Sequence, residues 1–180
     1  RVSRVLKVAI FSWGIFSLIS VILFAGYLVY VVGPGNAESR NTASPRDVRF
    51  VMNGCKLRED QIKEVISSYQ SGRSFFGGHL EMHAIRVSSL EQLEFTLDEY
   101  AIGWERCDQV KGVLAEAISL VSRIEIYGIP WFPELDEIRS EQFFVYPNSI
   151  YCSGTKPSAV RLTFAKPTEE IIYFLDYKEG

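Results

Sequence analysis

QFFVYPNSIYCSGTKPSAVRLTFAKPTEEIIYFLDY, residues Gln142–Tyr177, is the stretch on which the fold turns. β-Branched and aromatic residues gather in four blocks, Gln142–Tyr146, Ser149–Cys152, Ala159–Ala165 and Glu170–Tyr177, the composition of strands. In the third block Val160, Leu162 and Phe164 alternate with Arg161 and Thr163, so successive side chains serve opposite faces of a sheet. Pro147-Asn148 and Lys166-Pro167-Thr168-Glu169 read as turns. A parallel crossover needs a dozen residues or more, and these loops are far shorter. The stretch therefore predicts a four-strand antiparallel meander.

Upstream the pattern is mixed. Val48, Phe50 and Met52 alternate with Arg49, Val51 and Asn53, which predicts a strand. Arg58–Gln70 carries Ile62, Val65, Ile66 and Tyr69 at helical spacing, with Gly72 as a stop. His79–Val87 reads as extended. Ser88-Ser89-Leu90-Glu91 has the form of a capping box, opening a helix with Leu90, Leu93, Leu97 and Ala101 on one face. Arg106–Ser122 carries Val110, Val113, Leu114, Ala117, Ile118 and Val121, the best amphipathic helix in this part of the chain. Helices come mostly before strands, so the expected class is α+β, with helices packed on a mainly antiparallel sheet.

The N-terminal end differs from all of this. Val8–Val32 holds 25 uncharged residues, which as a helix reach about 37 Å, enough for a hydrocarbon core of about 30 Å. Trp13 lies toward one end and Tyr27 and Tyr30 toward the other, where amphipathic rings meet the membrane interface. The apolar run of a cleaved signal peptide is shorter, and Gly35-Asn36-Ala37 is a poor cleavage site. The expectation is an uncleaved anchor over residues 8–32, preceded by a cytoplasmic tail over 1–7. Arg1, Arg4 and Lys7 crowd that tail, whereas the first basic residue after the span is Arg40, which predicts that the rest of the chain lies outside the cytoplasm. No N-x-[ST] glycosylation acceptor occurs, which favours a bacterial inner membrane and a periplasmic domain. Residues 33–46, GPGNAESRNTASPR, read as a flexible linker spanning about 20 Å. Residues 47–180 form the extracytoplasmic domain.

Composition narrows the function. Of 180 residues, 19 are Lys or Arg and 22 are Asp or Glu, and the net charge of −3 excludes a strongly basic nucleic-acid binder. Aromatic residues make up 13% of the chain, which excludes a disordered acidic tail. Charge is unevenly spread: residues 91–141 hold twelve acidic and four basic side chains, an acidic face suited to a basic partner. Beside it, Tyr127-Gly128-Ile129-Pro130-Trp131-Phe132-Pro133 sets large aromatics between prolines. Trp131 and Phe132, with Glu134, Asp136 and Glu137, are the candidate partner-binding residues, since buried aromatics anchor interfaces.

Signatures of catalysis are lacking. There is no G-x-S-x-G, no phosphate-binding G-x-x-x-x-G-K-[ST] and no G-x-G-x-x-G, and nothing calls for a cofactor. The two histidines fall in one motif, His79-Leu80-Glu81-Met82-His83. On a strand His79, Glu81 and His83 share a face, and two imidazoles with a carboxylate suit Zn²⁺. Cys55, Cys107 and Cys152 contain no C-x-x-C pair, and an oxidising compartment predicts one disulfide and one leftover thiol, the pairing left open among three. These observations predict a single-pass, membrane-anchored protein whose extracytoplasmic domain binds another protein, as a subunit of an envelope complex or an immunity-type inhibitor. The alternative is a metal-binding sensor or metal-dependent enzyme built on His79, Glu81 and His83.

Overall fold

The structure, a computed structural model, describes residues 2–32, 37–72, 78–90 and 103–180. The chain divides into two units, Arg1–Ala37 and Glu38–Gly180. The first is one helix, α1 (Val2–Val32), apolar around its whole circumference. Its stretch Leu6–Tyr30 is long and apolar enough to cross a membrane.

The second unit is α+β, as the sequence predicts. In chain order it contains β1 (Ser39–Arg40), α2 (Arg49–Gly54), β2 (Ile62–Gln70), β3 (His79–Val87) and β4 (Glu105–Arg106). There follow α3 (Gly112–Ser119), continued by a 3-10 segment to Tyr127, then α4 (Leu135–Ile138). β5 (Phe144–Ser153), β6 (Lys156–Lys166) and β7 (Ile171–Lys178) complete it. The described residues build a seven-stranded sheet in the order β1-β2-β3-β7-β6-β5-β4, antiparallel at every junction.

Both faces of the sheet are covered near its centre, and the alternation of Ile171–Tyr177 shows how. Ile171, Tyr173, Leu175 and Tyr177 enter a core with Leu80, Met82, Leu162 and Phe164, roofed by Ala117, Ile118, Val121, Ile124, Phe132 and Ile138. Ile172 and Phe174 point the other way, into a core with Ile85, Val87 and Ala165 under Val48, Val51, Met52 and Cys55. A strand apolar on both faces is the mark of a central strand. Each fully buried side chain such as Met52 or Phe174 contributes about 1.5–3 kcal/mol by leaving water.

Several local expectations are corrected. Val48–Asn53 is not a strand: Val48, Val51, Met52 and Cys55 are buried at i, i+3, i+4 and i+7, the stripe of helix α2, while Phe50 is exposed. Arg58–Gln70 is not a helix but contributes β2. Register shifts between Ile62 and Glu64 and between Val65 and Ser67 insert an extra residue each time, so same-face apolar positions fall three apart and mimic a helical period. The blocks Gln142–Tyr146 and Ser149–Cys152 belong to one strand, β5, bulged between Pro147 and Ser149 rather than turning there. β4 reaches only Phe144 and Val145, so on the side of β5 away from β6 no strand asks Pro147 for an amide. The helix read over Arg106–Ser122 begins at Gly112, with Glu105–Arg106 in β4 instead. Within the stretch read as linker, Ser39 and Arg40 pair with Gln70 and Tyr69. The extended reading of His79–Val87 and the turn at Pro167–Glu169 agree with β3 and a 3-10 turn. The capping box at Ser88–Glu91 and the helix after it lie outside the described residues.

The cysteines do not form the expected disulfide. Cys55 and Cys107 are buried in the two cores, with the sheet between them, and Cys152 is exposed near the end of β5. Burial pushes the thiols of Cys55 and Cys107 up to about 12, which removes their thiolates at neutral pH.

Candidate functional site

The segment from the 3-10 turn to α4 forms a concave surface. Val121, Ile124, Gly128, Ile129, Pro130, Phe132, Pro133 and Glu134 line a groove of about 470 Å³. Gly128 takes a left-handed φ of 60°, which reverses the chain at the end of the 3-10 segment, and Pro130 and Pro133 stiffen the loop that leads into α4. Beside the groove Ile126 is 84% exposed, a large aliphatic side chain in open solvent.

The five candidate partner-binding residues divide by position. Phe132 is not a protruding anchor: it is buried, edge-on to Phe164 at 6.3 Å and to Tyr173 at 5.8 Å, and so forms the groove's floor. Trp131 is half-buried, its ring edge-on to Phe132 at 6.1 Å. Glu134 sits exposed at the lip, and Asp136 is exposed in the first turn of α4. Glu137 is committed to Lys166, whose Nζ lies 2.8 Å from its Oε1 and 2.6 Å from Glu169. These two carboxylates raise the Lys166 pKa and hold it charged. Of the twelve acidic residues in 91–141, Glu91, Glu94, Asp98 and Glu99 fall outside the described residues. Asp108 and Glu141 engage Arg106, whereas Glu134 and Asp136 have no ion pair among the described residues.

The candidate metal ligands sit on β3. His79, Glu81 and His83 share one face, with Leu80, Met82 and Ala84 in the core behind. They do not converge. His79 Nε2 lies 3.1 Å from Asp176 Oδ1, and His83 Nε2 lies 2.9 Å from Glu81 Oε1. Each imidazole is thus taken by a different carboxylate. Among the described residues no three ligand-type side chains stand together in a way that holds a metal ion. His83 is also no surface residue: it is buried, its ring stacked on Phe174 at 5.9 Å and edge-on to Phe50 at 6.2 Å. An ionised carboxylate can only accept, so Nε2 carries the proton toward Glu81 and the buried Nδ1 is left without a partner. That hydrogen bond holds Glu81 below the usual carboxylate range despite the opposing effect of burial.

Two residues that sequence reasoning passes over complete this face. Asp176 is a buried carboxylate, and it accepts from His79 through Oδ1 and from Arg161 Nε (2.9 Å) and Nη2 through Oδ2. The sequence does carry a signal for it: Asp176 is the lone charge in the run Ile171–Tyr177, and a charge there must be paired. Arg161 carries no such signal, since an outward alternate of Val160 and Leu162 is ordinarily a solvated side chain. No family model matches the chain, and no curated protein or solved structure is significantly similar to it.

Proposed function

We propose that this is a single-pass, membrane-anchored protein whose folded domain, held outside the cytoplasm, binds another protein through the groove between the 3-10 turn and α4. The observation that carries the reading is the groove itself: apolar walls from Val121, Ile124, Ile129 and Pro130, a floor of Phe132, and Glu134 free at its lip. Apolar pockets rimmed by charge are where interface anchors insert. The partner that fits is a protein presenting an aliphatic side chain next to a Lys or Arg. The 25-residue apolar stretch of α1 and the basic residues before it support the anchor and its orientation.

The test is affinity purification of the full-length chain from native membranes, comparing wild type with Glu134→Lys and Trp131→Ala. Glu134 is exposed at the groove's lip, and Trp131, half-buried, packs edge-on to the Phe132 floor from outside the lining, so neither substitution removes the floor itself. A basic partner should be recovered with wild type and reduced roughly tenfold by either substitution. Equal recovery by all three proteins, or no partner with any of them, would sink the proposal.

A further inference from the structure

The sheet face that carries His79, Glu81 and His83 is covered by α2 only over its apolar half. Toward the other end of the strands the register sets two polar rows side by side. Glu81, Asp176, Arg161 and Ser149 lie opposite one another across β3, β7, β6 and β5, and the next row is His79, Lys178, Ala159 and Tyr151. Directly opposed residues share a face. These rows border a groove of about 430 Å³, lined by His79, Ser149, Tyr151, Arg161, Asp176 and Lys178 among others. That volume lies within the range of small-molecule sites, about 300–1,000 Å³.

The groove offers donors, not acceptors. Both oxygens of Asp176 are already engaged, one by His79 and the other by two nitrogens of Arg161. Glu179, at the rim, is taken by Arg123 at 2.8 Å. Among the residues that line the groove a cation would find no open carboxylate. Arg161 by contrast is pinned along one edge by Asp176, while its side chain stays 49% exposed. A guanidinium held in a fixed plane is preorganised for the planar fork of a carboxylate. Lys178 adds a second positive charge, with no ion pair among the described residues. Among the lining residues Asp176 offsets Arg161 and Arg123 offsets Glu179, which leaves Lys178 to meet a monoanion; Glu81, the other charge of the row, does not line the groove and accepts from His83. Ser149, opposite Arg161, supplies a hydroxyl. Small Ala159 leaves room beside the exposed ring of Tyr151 for an apolar or cyclic body.

We propose that this groove binds a small organic monoanion through its carboxylate, with Arg161 and Lys178 as charge partners, Ser149 as a donor and Tyr151 against the ligand's apolar body. The site is independent of the protein-docking groove, and neither assignment depends on the other. Benzoate is the probe, titrated into the full chain in a zwitterionic detergent, with the Tyr151 ring and Ala159 amide followed by NMR. The result expected is a saturable shift of both signals, weakened roughly tenfold by Arg161→Lys, which keeps the charge but loses the fork. Lys178→Gln, at an exposed position, should weaken binding several-fold and stands in if the Arg161 variant fails to fold. Benzyl alcohol should not compete, and phenyl phosphate should bind no better than benzoate. Absence of a saturable shift overturns the site. Unchanged binding in the variants, or competition by benzyl alcohol, overturns the anion assignment, and much tighter phenyl phosphate binding overturns the choice of a carboxylate.

Discussion

Glu81 shows what one side chain contributes and when it stops contributing. It accepts from His83 at 2.9 Å, and that bond, stronger in effect than its burial, holds its pKa below the ordinary value of a glutamate. A carboxyl whose folded pKa is depressed stabilises the fold fully above the unfolded value, and the contribution is lost as pH falls through the folded one. Glu81→Gln keeps an acceptor for His83 but removes the titration. Its stability should fall short of wild type at neutral pH by about 1 kcal/mol, and the gap should close as the pH falls from the ordinary glutamate range through the lowered folded value of Glu81. Urea denaturation across that range measures it; parallel profiles for the two proteins would show that Glu81 is not the group responsible. The same residue marks how far the motif was legible. That His79, Glu81 and His83 share a face follows from their spacing alone. That His79 is paired with a carboxylate from 97 positions away does not, because strand pairing between β3 and β7 is a tertiary fact.

At the scale of elements, α2 closes the second core by laying Val51 and Met52 over the Ile85 and Phe174 face of β3 and β7, and its end runs close to the bulge in β5. A Cβ on Gly54 would stand 2.7 Å from Asn148 Nδ2, too near for any real contact. Asn148 cannot swing away freely, because its Oδ1 accepts from Thr163 Oγ1 at 2.7 Å. Gly54→Ala should therefore destabilise the domain by about 1–3 kcal/mol, the usual cost of overpacking. The double variant Gly54→Ala with Asn148→Ala should recover part of that loss, and thermal denaturation of the single and double variants reads the coupling. Additive losses would show that the two residues do not collide. α2 and β2 are also where sequence periodicity misleads, in opposite directions. α2 is six residues long, too short for a repeating stripe to outweigh a chance alternation at Val48, Phe50 and Met52. β2 is bulged twice, so its true period of two is broken where Ile62 and Val65 would have shown it. β6, with no bulge between Ala159 and Ala165, is readable residue by residue.

For the molecule as a whole, the boundary between the unit of the apolar helix and the folded domain falls after Ala37, so part of the polar stretch after the apolar helix is structural. Ser39 and Arg40 extend the sheet at β2, and Arg40 lies over the Tyr69 ring at 5.2 Å. Asn41 donates its amide to the Ser68 carbonyl at 2.8 Å and accepts the Ser68 amide on its side chain at 3.2 Å. The Ala43 amide reaches Ser68 Oγ at 3.1 Å. Composition hides all of this, because Gly, Pro, Ser and Asn mark a flexible tether and an edge strand pinned by hydrogen bonds alike. Energetics separates the two. Three such bonds at about 0.5–1.5 kcal/mol each amount to about 1.5–4.5 kcal/mol, a large share of the stability of a domain this size. A domain begun at Glu38 should therefore unfold at higher urea than one begun at Asp47, by that margin and with a slightly larger m-value for the added buried surface. If the two unfold together, residues 38–46 are a tether after all, and tension on the N-terminal helix would not strain the edge of the sheet. If they differ as expected, tension on the N-terminal helix passes along the chain into the edge of the sheet, and the first part of the domain to yield is β1 with its contacts to Ser68.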